Sequence, residues 1–345
     1  MTKKFDVVIG NPPYQGESTG DATHAMPIYH EFMEAAYEVG TKVILITPAR
    51  FLFNAGYTPK AWNEKMLADP HLSVPHYAPV SDDLFPGTGI KGGIAVTYRD
   101  AESVGEPIGA FTKFDELNDI LQRVGHGDFK PLTSLGFTSG RSYRYTARMH
   151  EEHPAAVDIL SHGHEYVIGP HAFQRLPQLF HDSPLRDGQA YTRVLGLAGK
   201  KRVFRWIRSD YVSGTEALGA YKVAVAAANG SGHLGEVLSS PLVLEPDVGV
   251  TQTFLTIGSF GDVAAADACL KYIKTKFART LLGVLKITQH NPAKVWKHVP
   301  LQDFTSDSDI DWTKSVAEID RQLYAKYDLT PEDIDFIETQ IKPME

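Results

Sequence analysis

Asn11, Pro12, Pro13 and Tyr14 stand together directly after the apolar run Phe5-Asp6-Val7-Val8-Ile9-Gly10. Neither proline carries an N–H, so their fixed backbone offers carbonyl oxygens and no donors. An exocyclic amine on a planar ring has two N–H donors and needs two acceptors. The Asn11 side-chain oxygen and the Pro12 carbonyl can supply them. Held this way, the amine's lone pair is drawn out of conjugation and toward an electrophile. Tyr14 adds a flat ring on which a base can stack.

These groups need a platform. Val7, Val8 and Ile9 read as a short strand buried on both faces, as in a parallel sheet. Asn11 then lies just past its carboxyl end, where open α/β sheets bind ligands. Residues 27–40 read as an amphipathic helix, with Pro27 in its first turn and Gly40 just past its end. A second buried strand is expected at Val43–Ile46, leading into Thr47-Pro48-Ala49-Arg50. A helix is expected over 59–68, a weaker strand over 72–78 and a fourth strand over 92–98. Strand and helix alternate as in one half of a doubly wound α/β domain.

The stretch FDVVIGNPPY resembles motif IV of the amino-methyltransferases that act on adenine in DNA, in a form close to the type IIG restriction–modification methylases. Asp83-Leu84-Phe85-Pro86, followed by Lys91-Gly92-Gly93, is similar to their motif VIII region. The resemblance places Phe85 opposite Tyr14, as a second aromatic against the target base. It is specific over 5–14 and 83–98 and diffuse over most of the rest. The implied fold class is α/β: a partial Rossmann-like methyltransferase sheet, followed by a mixed α+β domain like those that recognise the DNA target. Catalytic roles would fall to Asn11, Pro12, Pro13 and Tyr14.

The family binds S-adenosylmethionine through a glycine-rich loop and an acidic residue that precede motif IV, and only four residues precede Phe5 here. The expectation is therefore that half of the cofactor site and half of the sheet are missing. The strand at 5–10 would be an exposed apolar edge in need of cover. The resemblance implies a second polypeptide carrying that half, with S-adenosylmethionine bound only in its presence. One internal alternative is Gly230-Ser231-Gly232-His233-Leu234-Gly235, a formal G-x-G-x-x-G after a strand at 221–228. A cofactor turn should open a long helix. Pro241 and Pro246 leave little room for one, so a glycine hairpin is the better reading.

The 345 residues suggest three segments: a catalytic-motif half at 1–105, a recognition-like domain at 106–302 and an acidic helical tail at 303–345. The net charge of −8 looks unsuited to nucleic acid, but the tail alone carries 12 acidic and 4 basic side chains. The other 302 residues balance at 30 against 30. Two stretches are basic and free of carboxylates: 191–208, with Arg202, Arg205 and Arg208, and 271–298, with Lys274 and Lys276. In 130–148, Arg141 and Arg144 interleave with Tyr143 and Tyr145. Such clusters suit phosphate and base contact, so double-stranded DNA is the expected partner. A long helix is expected over 263–286. The single Cys269 excludes a disulfide framework, and the spacing of His150 and His153 is not that of a zinc site. No signal peptide or membrane-spanning run is evident, which points to the cytoplasm. The expected function is the catalytic-motif and target-recognition portion of a DNA adenine methyltransferase. The alternative is a non-catalytic, DNA- or protein-binding remnant of a split modification enzyme.

Overall fold

The computed structural model describes residues 4–16, 26–55, 57–90, 92–230, 232–286 and 288–344. The chain divides into two compact units, Met1–Gln122 and Arg123–Glu345. The boundary is not at residue 105. It falls inside a helix, and the acidic tail belongs to the second unit.

The first unit is built from β1 (Phe5–Gly10), α1 (Tyr29–Val39), β2 (Gly40–Pro48), α2 (Lys60–Leu67), β3 (Leu72–Ala78), β4 (Ile94–Asp100) and the start of α3 (Asp115–Gly125). The sheet order is β1-β2-β4-β3. β1 runs parallel to β2, while β4 is antiparallel to both β2 and β3. β1, β2 and β3 therefore share one direction and β4 is inserted against it. Both β2 faces are populated because Val43, Leu45 and Thr47 alternate with Ile44 and Ile46. On the first face, Met33 of α1 and Trp62 and Met66 of α2 pack with Val43, Leu45, Phe51 and Leu72 into one core.

β1 departs from the expectation of burial on both faces. Val8 packs on the core, but Phe5, Val7 and Ile9 are 57%, 50% and 73% exposed. Among the described residues β1 pairs only with β2, so its other edge is open.

The second unit contains β5 (Phe137–Ser139), β6 (Arg144–Tyr145), α4 (Ala147–Glu152), α5 (Ala156–Ile159), α6 (Ala172–Arg175), β7 (Tyr191–Ala198), β8 (Lys201–Arg208), β9 (Val212–Ser213), β10 (Tyr221–Ala226), β11 (Leu242–Leu244), β12 (Val248–Val250) and β13 (Phe254–Phe260). Four helices follow: α7 (Val263–Lys274), α8 (Lys276–Gly283), α9 (Val316–Lys326) and α10 (Pro331–Gln340). Its sheets run β11-β10-β13-β5, β12-β7-β8 and β6-β9. Tyr143, Tyr145, Ile168, Val194, Ile207 and Phe254 form its core.

The helix expected over 263–286 is two helices. Thr275 ends α7 and caps α8, its hydroxyl accepting from Ala278 N at 3.1 Å. The Asp320 carboxylate, from α9, accepts from Lys276 N and Phe277 N at 3.0 and 2.9 Å. The tail is not a solvated appendage. Ile319, Leu323 and Ile337 are fully buried, and capping boxes at Ser315/Glu318 and Thr330/Asp333 start its two helices. Among the described residues no helix is long and apolar enough to cross a membrane.

Candidate functional site

Because β1, β2 and β3 are parallel and β4 is reversed, one end of the sheet collects the chain after β1, β2 and β3 and the chain before β4. The first of these segments is Asn11–Tyr14. The second is Ala49–Phe53, a tight turn closed by Asn54 in the left-handed conformation (φ 53°). The third and fourth are the two ends of the 79–93 loop.

The Asn11–Tyr14 segment is pinned from behind. Ile28 N donates to Tyr14 O at 3.2 Å and Gly16 N to Met26 O at 3.0 Å. Asn11 and Pro13 are exposed, whereas Pro12 and Tyr14 are half-buried. Burial pushes the Tyr14 hydroxyl pKa up, and the adjacent Asn11 side chain pulls it partly back. Asn11, exposed, and Pro12, half-buried, thus lie just past the carboxyl end of β1.

Phe85 arrives on a stitched loop. Ser81 Oγ accepts from Ile90 N at 2.7 Å, and Asp82 Oδ1 accepts from Thr88 N at 2.9 Å. Phe85 N donates to Ser81 O at 2.8 Å, and its side chain is half-buried. Lys91 lies outside the described residues. Gly93 (φ 79°) closes the loop so tightly that an added Cβ would collide with Ala78 O. Its own carbonyl accepts from Ala49 N at 3.0 Å, joining the ends of β2 and β4. Tyr14 and Phe85 therefore reach the same sheet end from separate elements.

The basic residues of the second unit divide sharply. Arg144 is exposed, its guanidinium 5.7 Å from the Tyr166 ring centroid. Arg141 is exposed too. Once the Gln252 amide is oriented by its surroundings, Oε1 accepts from Arg141 Nε at 2.7 Å and Nη2 at 2.9 Å. The 191–208 stretch is the hairpin of β7 and β8, and its cations find partners from other parts of the unit. Arg208 donates to Glu152 and Asp210, each at 2.7 Å, and to Tyr211 Oη at 2.8 Å. Arg205 pairs with Asp182, and Arg202 donates to the carbonyls of Ser239 and Ser240. The expected phosphate grip by these three would compete with partners they already have within the unit. Lys276 is likewise tied to Glu338 at 2.5 Å. Lys274 is half-buried in the last turn of α7, where a cation offsets the helix dipole.

Ser231 lies outside the described residues, but the glycines around it are not followed by a helix. The segment joins β10 to the antiparallel β11. Gly235 packs against the backbone at Gln340, and Glu236 folds over Gly230. This loop does not fit a cofactor turn. Among the described residues no group of three or more His, Cys, Asp or Glu could hold a metal ion. Sequence reasoning missed Gln252, whose value lies only in what it does to Arg141, and Asn291, which is buried beside it in the same cavity.

The chain is similar to known proteins in three respects. A Mycoplasma pneumoniae protein described as an uncharacterized adenine-specific methylase is 34% identical over 94 residues. That alignment covers 26% of this chain and 22% of the relative, so the chain spans about a fifth of the length of the curated protein it matches. The structure of the type IIG restriction endonuclease BpuSI aligns with 97% of this chain and 53% of its own, at 11% identity and a TM-score of 0.34. Residues 1–85, which carry β1, the Asn11–Tyr14 segment and Phe85, match the model of the Eco57I restriction-modification methylase family.

Proposed function

We propose that this chain is the catalytic-motif and target-recognition portion of a DNA adenine-specific methyltransferase of a restriction–modification system. The observation that carries the reading is the placement of Asn11-Pro12-Pro13-Tyr14 at the open carboxyl end of β1, within the segment that matches the methylase family. Asn11 Oδ1 and the Pro12 carbonyl accept the two N–H groups of the target amine. Pro13 keeps the turn rigid and donor-free. Tyr14 and Phe85 offer ring faces to a base taken out of the duplex. Methyl transfer to an amine needs no covalent enzyme intermediate, so positioning and electrostatics carry the rate. Arg141 and Arg144 are the cations that contact DNA in this reading.

S-adenosylmethionine is the methyl donor this reading implies, and the internal glycine segment does not fit it. The glycine segment near residue 232 leads into a strand, and its glycines are packed against Glu236 and Gln340. We infer that a second polypeptide carrying the cofactor-binding half docks along β1. The exposed Phe5, Val7 and Ile9 and the open edge support this, because soluble proteins avoid such edges.

The test is to express the chain together with the neighbouring reading frames of its own locus in a methylation-free host and to map N6-methyladenine across the host genome. Methylation at one sequence context is expected, lost by a hundred- to thousandfold in Asn11→Ala as for other positioned groups. Tyr14→Ala should be milder, the loss of stacking costing about 1–3 kcal/mol, and Tyr14→Phe milder still. Full methylation by Asn11→Ala would overturn the assignment.

A further inference from the structure

Arg141 sits in the wall of a cavity of about 480 Å³ in the second unit, together with Phe137, Gln252, Phe254, His290 and Asn291. That volume is typical of small-molecule sites, about 300–1,000 Å³. Two features set the cavity apart from an ordinary surface cleft. First, the Arg141 guanidinium is held along one edge, Nε and Nη2, by Gln252 Oε1. Gln252 is anchored in turn, its backbone N donating to Ile168 O at 2.9 Å. Arg141 is exposed, so the end edge, Nη1 and Nη2, is left for another partner. Second, Asn291 is fully buried and donates from Nδ2 to Ala226 O at 3.0 Å and to Asn229 Oδ1. Its Oδ1 accepts nothing from the described residues. A buried acceptor left unpaired carries a desolvation cost that a ligand donor can relieve.

We propose that Arg141, aimed by Gln252, reads a guanine in the DNA target and so determines part of the recognition sequence. The inference rests on the reading of the second unit as DNA-binding. Guanine presents O6 and N7 side by side in the major groove, a pair of acceptors that matches the end edge of a guanidinium. Adenine puts an N6–H2 donor where guanine has O6, and two donors facing each other are rejected. A phosphate contact would need no such orientation, since a phosphate accepts from many directions. Arg144, exposed over Tyr166 and without a polar side-chain partner among the described residues, has that looser arrangement.

The experiment uses the full chain and a pool of short duplexes with a randomised core, with the bound fraction sequenced for each variant. The wild type should enrich a guanine at one position by about tenfold or more, the range of a good bidentate pair. Arg141→Ala should bring that one position to near parity and leave the other enriched positions in place. Arg141→Lys should also lose the preference, because an ammonium cannot make the paired contact. Gln252→Ala should lower it several-fold with the cation intact. Arg141 is exposed, so unchanged thermal melting is the check that the variants fold. If Arg141→Ala binds the same motif, more weakly and evenly across all sequences, Arg141 is a phosphate contact. The proposal then falls while the DNA reading stands. A wild type that binds duplex with no enriched guanine also overturns it. A wild type that binds no duplex overturns the DNA reading as well.

Discussion

Gly93→Ala, set against Gly87→Ala, tests how tightly the sheet end that presents the candidate site is built. The two glycines lie in the same loop with nearly equal backbone angles, φ 79° and 83°. An L-residue in that region costs roughly 1–2 kcal/mol, so both variants share that penalty. They differ in space. At Gly87 an added Cβ meets nothing within 4 Å. At Gly93 it would collide with Ala78 O and sit 2.9 Å from Tyr77 Cε2 and 3.0 Å from Pro79 Cα. Two of those three atoms are backbone, and the carbonyl is about 1 Å short of a normal contact distance. Ala78 pairs with Ile94 at the last rung between β3 and β4, so relief of the clash opens that rung. It also strains the Ala49 N to Gly93 O bond. Two hydrogen bonds at about 1 kcal/mol each, added to the backbone penalty, give about 3–4 kcal/mol for Gly93→Ala. Gly87→Ala should stay at about 1–2 kcal/mol. Hydrogen exchange of the β3 and β4 amides in the full chain measures the local opening free energy of the first unit without assuming that both units melt together. Equal losses in the two variants would refute the reasoning, because they would mean that the strand ends yield freely.

Ile9→Lys, at a side chain that is 73% exposed, should leave thermal stability of the isolated chain within about 0.5 kcal/mol, yet abolish methylation in the co-expression assay; retained methylation would show that no polypeptide docks there. Arg208→Ala should leave the slope of log K against log salt for duplex DNA unchanged, because its guanidinium is held by Glu152 and Asp210, whereas Arg144→Ala should reduce it by about one unit. The Glu152 carboxyl is held down to about 2 by the Tyr211 hydroxyl first, then by Arg148 and Arg208. Its folded value lies below its ordinary 4.5, so the stability it contributes is present above that pH and lost as pH falls toward 2. Glu152→Gln should therefore flatten the acid limb of a melting-temperature profile between those values, and an unchanged limb would place the acid sensitivity elsewhere.

The sequence was legible where local pattern decides. The apolar run Val43–Ile46, the segment 72–78 and the amphipathic pattern of 27–40 are local signals, and β2, β3 and α1 stand at those places. The position of Asn11 after β1 follows from chain order alone. The reversed direction of β4 was not legible, since a strand looks alike in both directions and the 79–93 loop has no fixed length rule. Nor was the break at Thr275, which is sealed by Asp320 from 45 residues away. Counting carboxylates within 191–208 missed distant partners for the same reason. Arg208 takes its partner from Glu152, 56 residues earlier, and Arg205 takes Asp182. A net charge over a window describes the chain, whereas a free cation is a property of the fold. Gln252 carries no signal of its own, because a glutamine's role as a brace exists only beside Arg141.

The open edge of β1 also sets a limit on concentration. A strand with unpaired N–H and C=O groups and apolar Phe5, Val7 and Ile9 is a template that any similar strand can extend, including β1 of another copy. Asp6 is the one charge within Phe5–Gly10 that opposes such stacking. Copies of the chain with β1 uncovered should therefore self-associate in proportion to their abundance. A cell that makes it gains from producing whatever covers β1 at the same time and in matching amount. Synthesis from adjacent frames of one message would achieve this, and the solubility of the chain would then act as a gauge of that balance.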